Sequence, residues 1–503
     1  MIWSEVVSYW AAWQPDAVAV RFGDEELSWA ELDRRTAALA AGFSRLGVGR
    51  GDRVGMLLGN RPAFIETAVA CMKLGAIAVP VNIRLTPPEL AGVLGHADPA
   101  IVVTEATLAP GLARLRADRP ELTVLDADDG SFSAALIDGA PPAVAVADDD
   151  PLFICYTSGT TAAPKGAVLT HRSWHYSAMC RALQGGINLD DRVLLPFPLA
   201  FTGGLALWMV ALWAGATLVL EPAFEAGRAL ELIEGQRISV LMAVPLIWQQ
   251  LADHPAFATT DLSSIRCGSS GGAPVPVPLL RIWHARGVPM TQTYSLTEVS
   301  ASGITLPYRE AFTRAGYCGV PARHSQARIV DEQGRDCPPG EVGEIVIKGP
   351  EVMAGYWRNP EATARTIRDG WCHTGDLGLR DADGYFKVVD RAKDMLISGG
   401  LNVYPAELEE LLTGLPGVVE LAVIGVPHPR WGETPAVVVY SAGRTVSAAE
   451  VLQACRGVVA DYKLPRYLVV RDEPLPRNMA GKVLKRDLRE AYADLFERIE
   501  PIR

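Results

Sequence analysis

Short apolar runs alternate with amphipathic stretches through the first three quarters of the chain. Ser28-Trp29-Ala30-Glu31 has the form of a capping box that opens a helix toward Leu46, with Gly47 and Gly49 closing it. A strand over 53–58, a helix through Lys73 and a strand over 76–81 follow, and further strands are predicted at 100–104, 152–156, 240–244 and 265–267. Strands alternating with helices imply mainly parallel sheets with covered faces. Between Arg192 and Glu221 no charge occurs, but Pro196, Pro198 and Gly215 interrupt the stretch. It reads as a buried strand (193–197), a buried helix (205–214) and another strand (217–220), rather than as a membrane span.

Near residue 320 the pattern changes. Strands over 327–330, 343–348 and 385–389, separated by turn pairs such as Gln333-Gly334 and Asp383-Gly384, predict a small antiparallel module over about 315–390. Beyond Asp390-Arg391-Ala392-Lys393-Asp394 the order is helix (406–412), strand (419–424), strand (436–440), helix (448–459), strand (467–471). The expected fold class is α/β: a large N-terminal body of βαβ-type sheets over 1–392, including the β-rich module, and a smaller α+β C-terminal domain over 393–503.

Composition narrows the classes. The 503 residues are 49% apolar and 21% charged, which is ordinary for a globular protein, and the net charge of −11 argues against a sequence-blind nucleic-acid binder. Eight cysteines are scattered without a CxxC pair, so reduced, mostly buried thiols are expected rather than a zinc cage or a disulfide framework. The opening MIWSEVVSYW lacks a basic region before an apolar run, so a cytoplasmic location is expected. The basic segment 112–119 reads as a solvated helix face, with weak peripheral membrane contact as its alternative. The oligomeric state is not legible; a homodimer is compatible with the sequence.

The chemistry is concentrated in turns after strands. Tyr156-Thr157-Ser158-Gly159-Thr160-Thr161-Ala162-Ala163-Pro164-Lys165-Gly166 empties an apolar strand into hydroxyls, glycines and a lysine. Such a loop can offer backbone N–H groups, hydroxyls and a cation to a polyphosphate, although its spacing is not that of a P-loop. Ser269-Ser270-Gly271-Gly272-Ala273-Pro274 lets a planar ligand lie on backbone, and Thr293-Tyr294-Ser295-Leu296-Thr297-Glu298 supplies an aromatic ring, a hydroxyl and a hard carboxylate. Trp371-Cys372-His373-Thr374-Gly375-Asp376 sets an acid on a turn, and Pro476-Arg477-Asn478-Met479-Ala480-Gly481-Lys482 presents a lysine near the C-terminus.

In that order, these motifs resemble the adenylate-forming superfamily of acyl-CoA synthetases, firefly-type luciferases and peptide-synthetase adenylation domains, over nearly the whole chain. Ser398-Gly399-Gly400-Leu401-Asn402-Val403-Tyr404-Pro405-Ala406-Glu407-Leu408-Glu409 is similar to the acyl-CoA synthetase branch. The resemblance implies that Thr157, Ser158, Gly159, Thr160, Thr161 and Lys165 cradle the ATP triphosphate, while Gly271, Gly272, Ala273, Pro274 and Tyr294 hold adenine. It implies that Thr297 contacts the α-phosphate region, Glu298 binds Mg²⁺, Asp376 takes the ribose hydroxyls with Arg391 beside it, and Lys482 reaches the α-phosphate and the acyl carboxylate. Lys393 aligns with a hinge, and Ser398, Gly399 and Gly400 line the path of coenzyme A.

The implied activity is ATP-dependent formation of an acyl-AMP from a carboxylic acid, then transfer to coenzyme A. The chain departs from the family pattern at Ala162, where glycine is usual, at Ser295, where glycine or a similar small residue is usual, and at Phe201, where many acyl-CoA synthetases place histidine. Phe201 keeps open transfer of the acyl group to a carrier protein or partner, and a catalytically inactive nucleotide-binding regulator is the alternative of another class. Family position puts Phe201, Gly203, Gly204, Ala243 and Ser269 on the acyl pocket, walled by 201–207, 243–248, 269–272 and 300–304. Those segments hold no lone cation or acid, so an apolar acid is expected, whether fatty, aryl, steroid or terpenoid.

Overall fold

A computed structural model describes residues 3–157, 165–398, 401–441, 444–477 and 482–502. Its N-terminal body is built on two sheets. The larger runs in the order Val320–Pro321, Gly303–Thr305, Met290–Ser295, Cys267–Ser270, Val240–Ala243, Arg192–Leu195, Thr217–Leu220, Val18–Phe22, Glu25–Ser28. From Met290–Ser295 to Val18–Phe22 every neighbour is parallel. The second sheet centres on the parallel strands Pro151–Thr157, Ile77–Pro80, Arg53–Leu57, Ile101–Thr104 and Thr123–Asp126, with Lys165–Thr170 and Gly355–Tyr356 added antiparallel.

The core between these sheets holds residues of both, such as Val54 and Met56 against Val193 and Leu218, with Phe64, Trp174 and Trp208 from the helices filling the space. This explains the uncharged stretch. The helix Thr202–Ala214 is buried at nearly every position from Gly204 onward, and a helix enclosed on all sides can afford no polar face. No helix among the described residues is long and apolar enough to cross a membrane.

The antiparallel module is present as expected: Gln326–Val330, Gly343–Lys348, Trp371–Arg380, Ile367–Arg368 and Phe386–Arg391 form one sheet. The C-terminal domain has its own sheet, in which Gly432–Ser441 pairs antiparallel with Val418–His428 and parallel with Tyr467–Arg471, beside the hairpin Leu396–Ser398 and Leu401–Val403.

Local differences from the expectations have local causes. Ser28 Oγ accepts from Glu31 N at 3.2 Å and caps the helix Trp29–Arg45, but only this half of the capping box is formed. The helix expected over 448–459 stops at Cys455, because Gly457 takes a φ of +77°. The strand expected at 265–267 lies instead at Cys267–Ser270, where hydrogen bonding from parallel strands on both sides outweighs the weak strand preference of glycine and serine. All eight cysteines are free and buried. The segment 112–119 forms a short helix whose Arg114 and Arg116 are exposed, while Arg119 pairs with Asp98 at 3.3 Å.

Candidate active site

Parallel strands deliver ligands to the crevice at their carboxyl ends, and there the motifs gather. Cys267–Ser270 runs into Gly271–Pro274, with Gly272 exposed at a φ of +79°, so a shelf of backbone opens beside the next strand. That strand, Met290–Ser295, brings Tyr294 almost fully into the cluster of Val299, Ile304, Cys318 and Phe386. The Tyr294 hydroxyl donates to Asp376 Oδ2 at 2.8 Å. Burial, then the adjacent Asp376 charge, raises the pKa of this phenol well above the usual range, so it remains a donor.

Asp376 is held from the other side as well. It lies opposite Arg391 in the antiparallel pair Trp371–Arg380 and Phe386–Arg391, and Arg391 Nε stands 3.3 Å from Asp376 Oδ1. Gly375 turns the strand with a φ of +70°, and Glu344 fixes that turn by accepting from Gly375 N at 2.9 Å and bonding His373 Nδ1 at 2.7 Å. A carboxylate so oriented suits a pair of vicinal hydroxyls.

A second group forms around Glu298. Thr157 and Lys165 face each other as register partners at the base of the hydroxyl-rich loop, which places Lys165 although Ser158, Gly159, Thr160 and Thr161 lie outside the described residues. Lys165 Nζ lies 5.4 Å from the centre of the Tyr356 ring, and Tyr356 Oη donates to Glu298 Oε1 at 2.7 Å. Sequence reasoning passed over Tyr356, which carries no signal of its own: the antiparallel pairing of Gly355–Tyr356 with Val168 and Ala167 brings it here. Glu298, a hard-oxygen donor oriented by one phenol, fits a Mg²⁺ shared with phosphate oxygens; an ion of this kind commonly takes one or two carboxylates and completes its shell with substrate and water.

Thr297 Oγ1 is 2.9 Å from Thr202 Oγ1, at the first turn of Thr202–Ala214. Phe201, half-buried at the cap of that helix, provides no side-chain bond to it, so backbone N–H groups of the first turn remain available to an anion beside Thr297.

Lys482 comes from the far end of the sequence. Burial, then the neighbouring Arg391 charge, pushes its pKa down to about 8, against the opposing influence of Asp376 and Asp394. The C-terminal lysine is therefore within electrostatic range of the pair that borders the body. The junction is stitched by Asp390 Oδ2, which accepts from Ala406 N at 2.9 Å, and by Arg489, which donates to the Lys393 carbonyl at 3.0 Å and pairs with Asp394. Burial also lowers the Lys393 pKa. Ser398 is buried, and Gly399 and Gly400 lie outside the described residues.

The strand expected in the acyl wall presents two different faces. Along Val240–Ala243 successive side chains point to opposite faces. Met242 packs into the core shared with Thr202–Ala214, whereas Ala243 packs with Ala229, Leu230 and Ile247 on the other face. Met242 and Ser269 are register partners and share a face, so Met242, not Ala243, lies beside Ser269. Gly203 is exposed near the Phe197 ring. Gly204 has its reason in packing: a Cβ there would stand 2.3 Å from the Pro198 carbonyl oxygen.

Sequence reasoning also missed Arg181. It sits on the helix His171–Gly185 at helical spacing from Trp174, Ser177 and Ala178, all buried, and its Nη1 contacts Met242 Sδ at 3.6 Å. The signal was this periodicity, which puts an arginine on the buried face.

Comparison with known proteins places the chain in a family. Residues 7–357 match the family model for AMP-binding enzymes, and residues 407–482 match the model for the AMP-binding enzyme C-terminal domain. A feruloyl-CoA synthase from an Amycolatopsis species is 42% identical, over 96% of this chain and 97% of that protein. An indoleacetate–CoA ligase from Aromatoleum aromaticum is 39% identical, over 97% and 98%. The crystal structure of ATP-bound MatB from Rhodopseudomonas palustris superposes with a TM-score of 0.91 at 33% identity, covering 99% of this chain and 100% of that one. Both parts of the chain, the body and the piece that carries Lys482 to it, thus find their counterparts, and the chain belongs to the AMP-binding enzymes, in their acyl-CoA synthetase branch.

Proposed function

We propose that this chain is an AMP-forming acid–CoA ligase working with the residues assembled above. A carboxylate oxygen of the substrate attacks the α-phosphorus of ATP, the bond to the pyrophosphate oxygen breaks, and acyl-AMP and pyrophosphate result. The thiol of coenzyme A then attacks the acyl carbonyl, loses its proton and expels AMP. The observation that carries this reading is the convergence of Lys482 with Asp376 and Arg391, since it brings a cation from the C-terminal domain to the ribose-binding acid.

The first step joins two anions, so its barrier is largely electrostatic. Lys482 would neutralise charge between the attacking carboxylate and the α-phosphate. Lys165 would hold the terminal phosphates, and Thr297, with the uncapped turn at Thr202, would orient oxygens of the α-phosphate region. Asp376, held by Tyr294 and Arg391, would fix the ribose, while Gly271–Pro274 would support adenine beside Tyr294. Mg²⁺ at Glu298 would offset phosphate charge when bound. We take 1–392 as the binding body and 393–503 as the mobile part with its hinge at Lys393, so that withdrawal of Lys482 clears a path along Ser398 for the thiol.

Carboxylate-dependent exchange of pyrophosphate into ATP tests the assignment. Lys482→Ala should lower it by about 10²–10³-fold, and exchange at the wild-type rate in that variant would remove Lys482 from the mechanism. Phe201, in place of the usual histidine, supports a second reading in which a carrier protein takes the acyl group. Enzyme, ATP, acid and coenzyme A together should yield acyl-CoA by mass; acyl-AMP alone would favour the carrier. The relatives named for feruloyl and indoleacetyl thioesters make aryl acids the first class to assay.

A further inference from the structure

Arg181 is a cation set into the protein with no anionic partner among the described residues. Its Nε is sealed from solvent and has no hydrogen-bond partner, and its one polar contact among the described residues is the Met242 sulfur. The groups that act on it electrostatically are Tyr308 and Cys180, with no carboxylate among them. Other arginines set into the body are paired: Arg35 with Glu66, and Arg266 with Asp191. A guanidinium cannot shed its proton, so an unpaired one carries a standing desolvation cost until an acceptor arrives.

Its surroundings are those of the acyl wall. Met242 is the lateral partner of Ser269, and Tyr308 lies close enough to Arg181 to act on it electrostatically. One turn earlier on the same helix, Ser177 Oγ donates to the Ser300 carbonyl at 2.7 Å, and one turn later Gln184 Nε2 donates to the Thr305 carbonyl at 3.1 Å. Arg181 therefore sits where the helix His171–Gly185 meets both the Met242–Ser269 face and the 300–305 segment. The residue keeps some accessible surface even though its Nε is sealed.

We propose that Arg181 receives an oxygen acceptor at the far end of the acyl substrate, an anionic one by preference, and so selects acids with a second polar terminus over wholly apolar ones. The inference rests on the ligase reading above and narrows the acid expected from sequence to one with a polar far end.

Matched acids of one shape test it: terephthalate against 4-methylbenzoate for a charged terminus, and 4-hydroxycinnamate against 4-methylcinnamate for a neutral one. Initial rates of pyrophosphate release should favour the polar member of at least one pair by about 100-fold in kcat/KM, since a site with an unpaired buried donor rejects the analogue that lacks the acceptor. Whichever pair gives the larger ratio identifies the terminus. In Arg181→Met the ratio should collapse to within about threefold, with the apolar acid gaining. The melting temperature should stay level or rise, because an uncompensated charge has been removed. Arg181→Lys, which keeps the charge, should retain part of the preference and serves if the Met variant fails to fold. An unchanged ratio in Arg181→Met, or a wild-type preference for the methyl-ended acids, overturns the role of Arg181 and leaves the ligase standing. No pyrophosphate release with any of the acids, nor with a wider acid panel, removes the ligase reading and this inference with it.

Discussion

The proposed nucleotide side of the site and the proposed acyl wall are built on opposite electrostatic plans. On the nucleotide side, charged groups are held before any ligand arrives: Asp376 by Tyr294 and Arg391, Glu298 by Tyr356, and the turn at Gly375 by Glu344. On the proposed acyl wall the surroundings are largely apolar and one charge, Arg181, stands unmatched among the described residues. A ligand common to a whole reaction class rewards a preorganised frame, because no reorganisation is needed when charge develops. A variable ligand is better selected by a group that is costly when left empty, because the cost becomes discrimination once the right partner fills it.

Four changes would break or sharpen that contrast. Lys482→Ala should have the largest effect, the loss of pyrophosphate exchange described above, with acids of either terminus affected alike. Arg181→Met should come next and do the reverse, altering the ratio between acids while leaving the apparent affinity for ATP near wild type in saturation kinetics.

The third concerns pH. Burial and Arg391 bring Lys482 down to about 8 from an ordinary 10.5, so its charge is present below about 8 and lost above it. In the free enzyme, kcat/KM for adenylation should therefore decline about tenfold per pH unit above that point. Lys482→Arg, which stays charged, should abolish this limb of the profile; a limb that persists unchanged there belongs to another group. The smallest effect is expected for Tyr356→Phe. Loss of the hydroxyl that orients Glu298 should cost about 1 kcal/mol, or roughly fivefold. It should appear as a higher Mg²⁺ requirement in exchange assays that higher Mg²⁺ overcomes. A deficit that saturating Mg²⁺ does not relieve would move Tyr356 away from the metal side.

How far the sequence could be read follows from the range of the forces involved. Strands such as Gly343–Lys348, Thr217–Leu220 and Tyr467–Arg471 were legible to the residue, because period-two patterning and turn pairs are local signals. The motif turns were legible for the same reason: a glycine or hydroxyl run after an apolar strand is written in consecutive residues. Which of Met242 and Ala243 shares a face with Ser269 depends on the register with Cys267–Ser270, which no local pattern near Ala243 reveals. The pairing of Gly355–Tyr356 with Val168 and Ala167, which carries Tyr356 to Glu298, was illegible for the same reason.

By itself, then, the sequence determined the alternation that makes parallel sheets, the change of style near residue 320, and the motif turns proposed to meet ATP, because these depend on near neighbours along the chain. Only the tertiary structure decided which of those groups meet. Lys482 comes within electrostatic range of Asp376 and Arg391, Tyr356 meets Glu298, and Arg181 meets Met242 with no carboxylate beside it among the described residues, through register and packing between segments far apart in sequence. Charge can be counted from a sequence; whether a charge has a partner is a property of distance and burial, and those exist only in the fold.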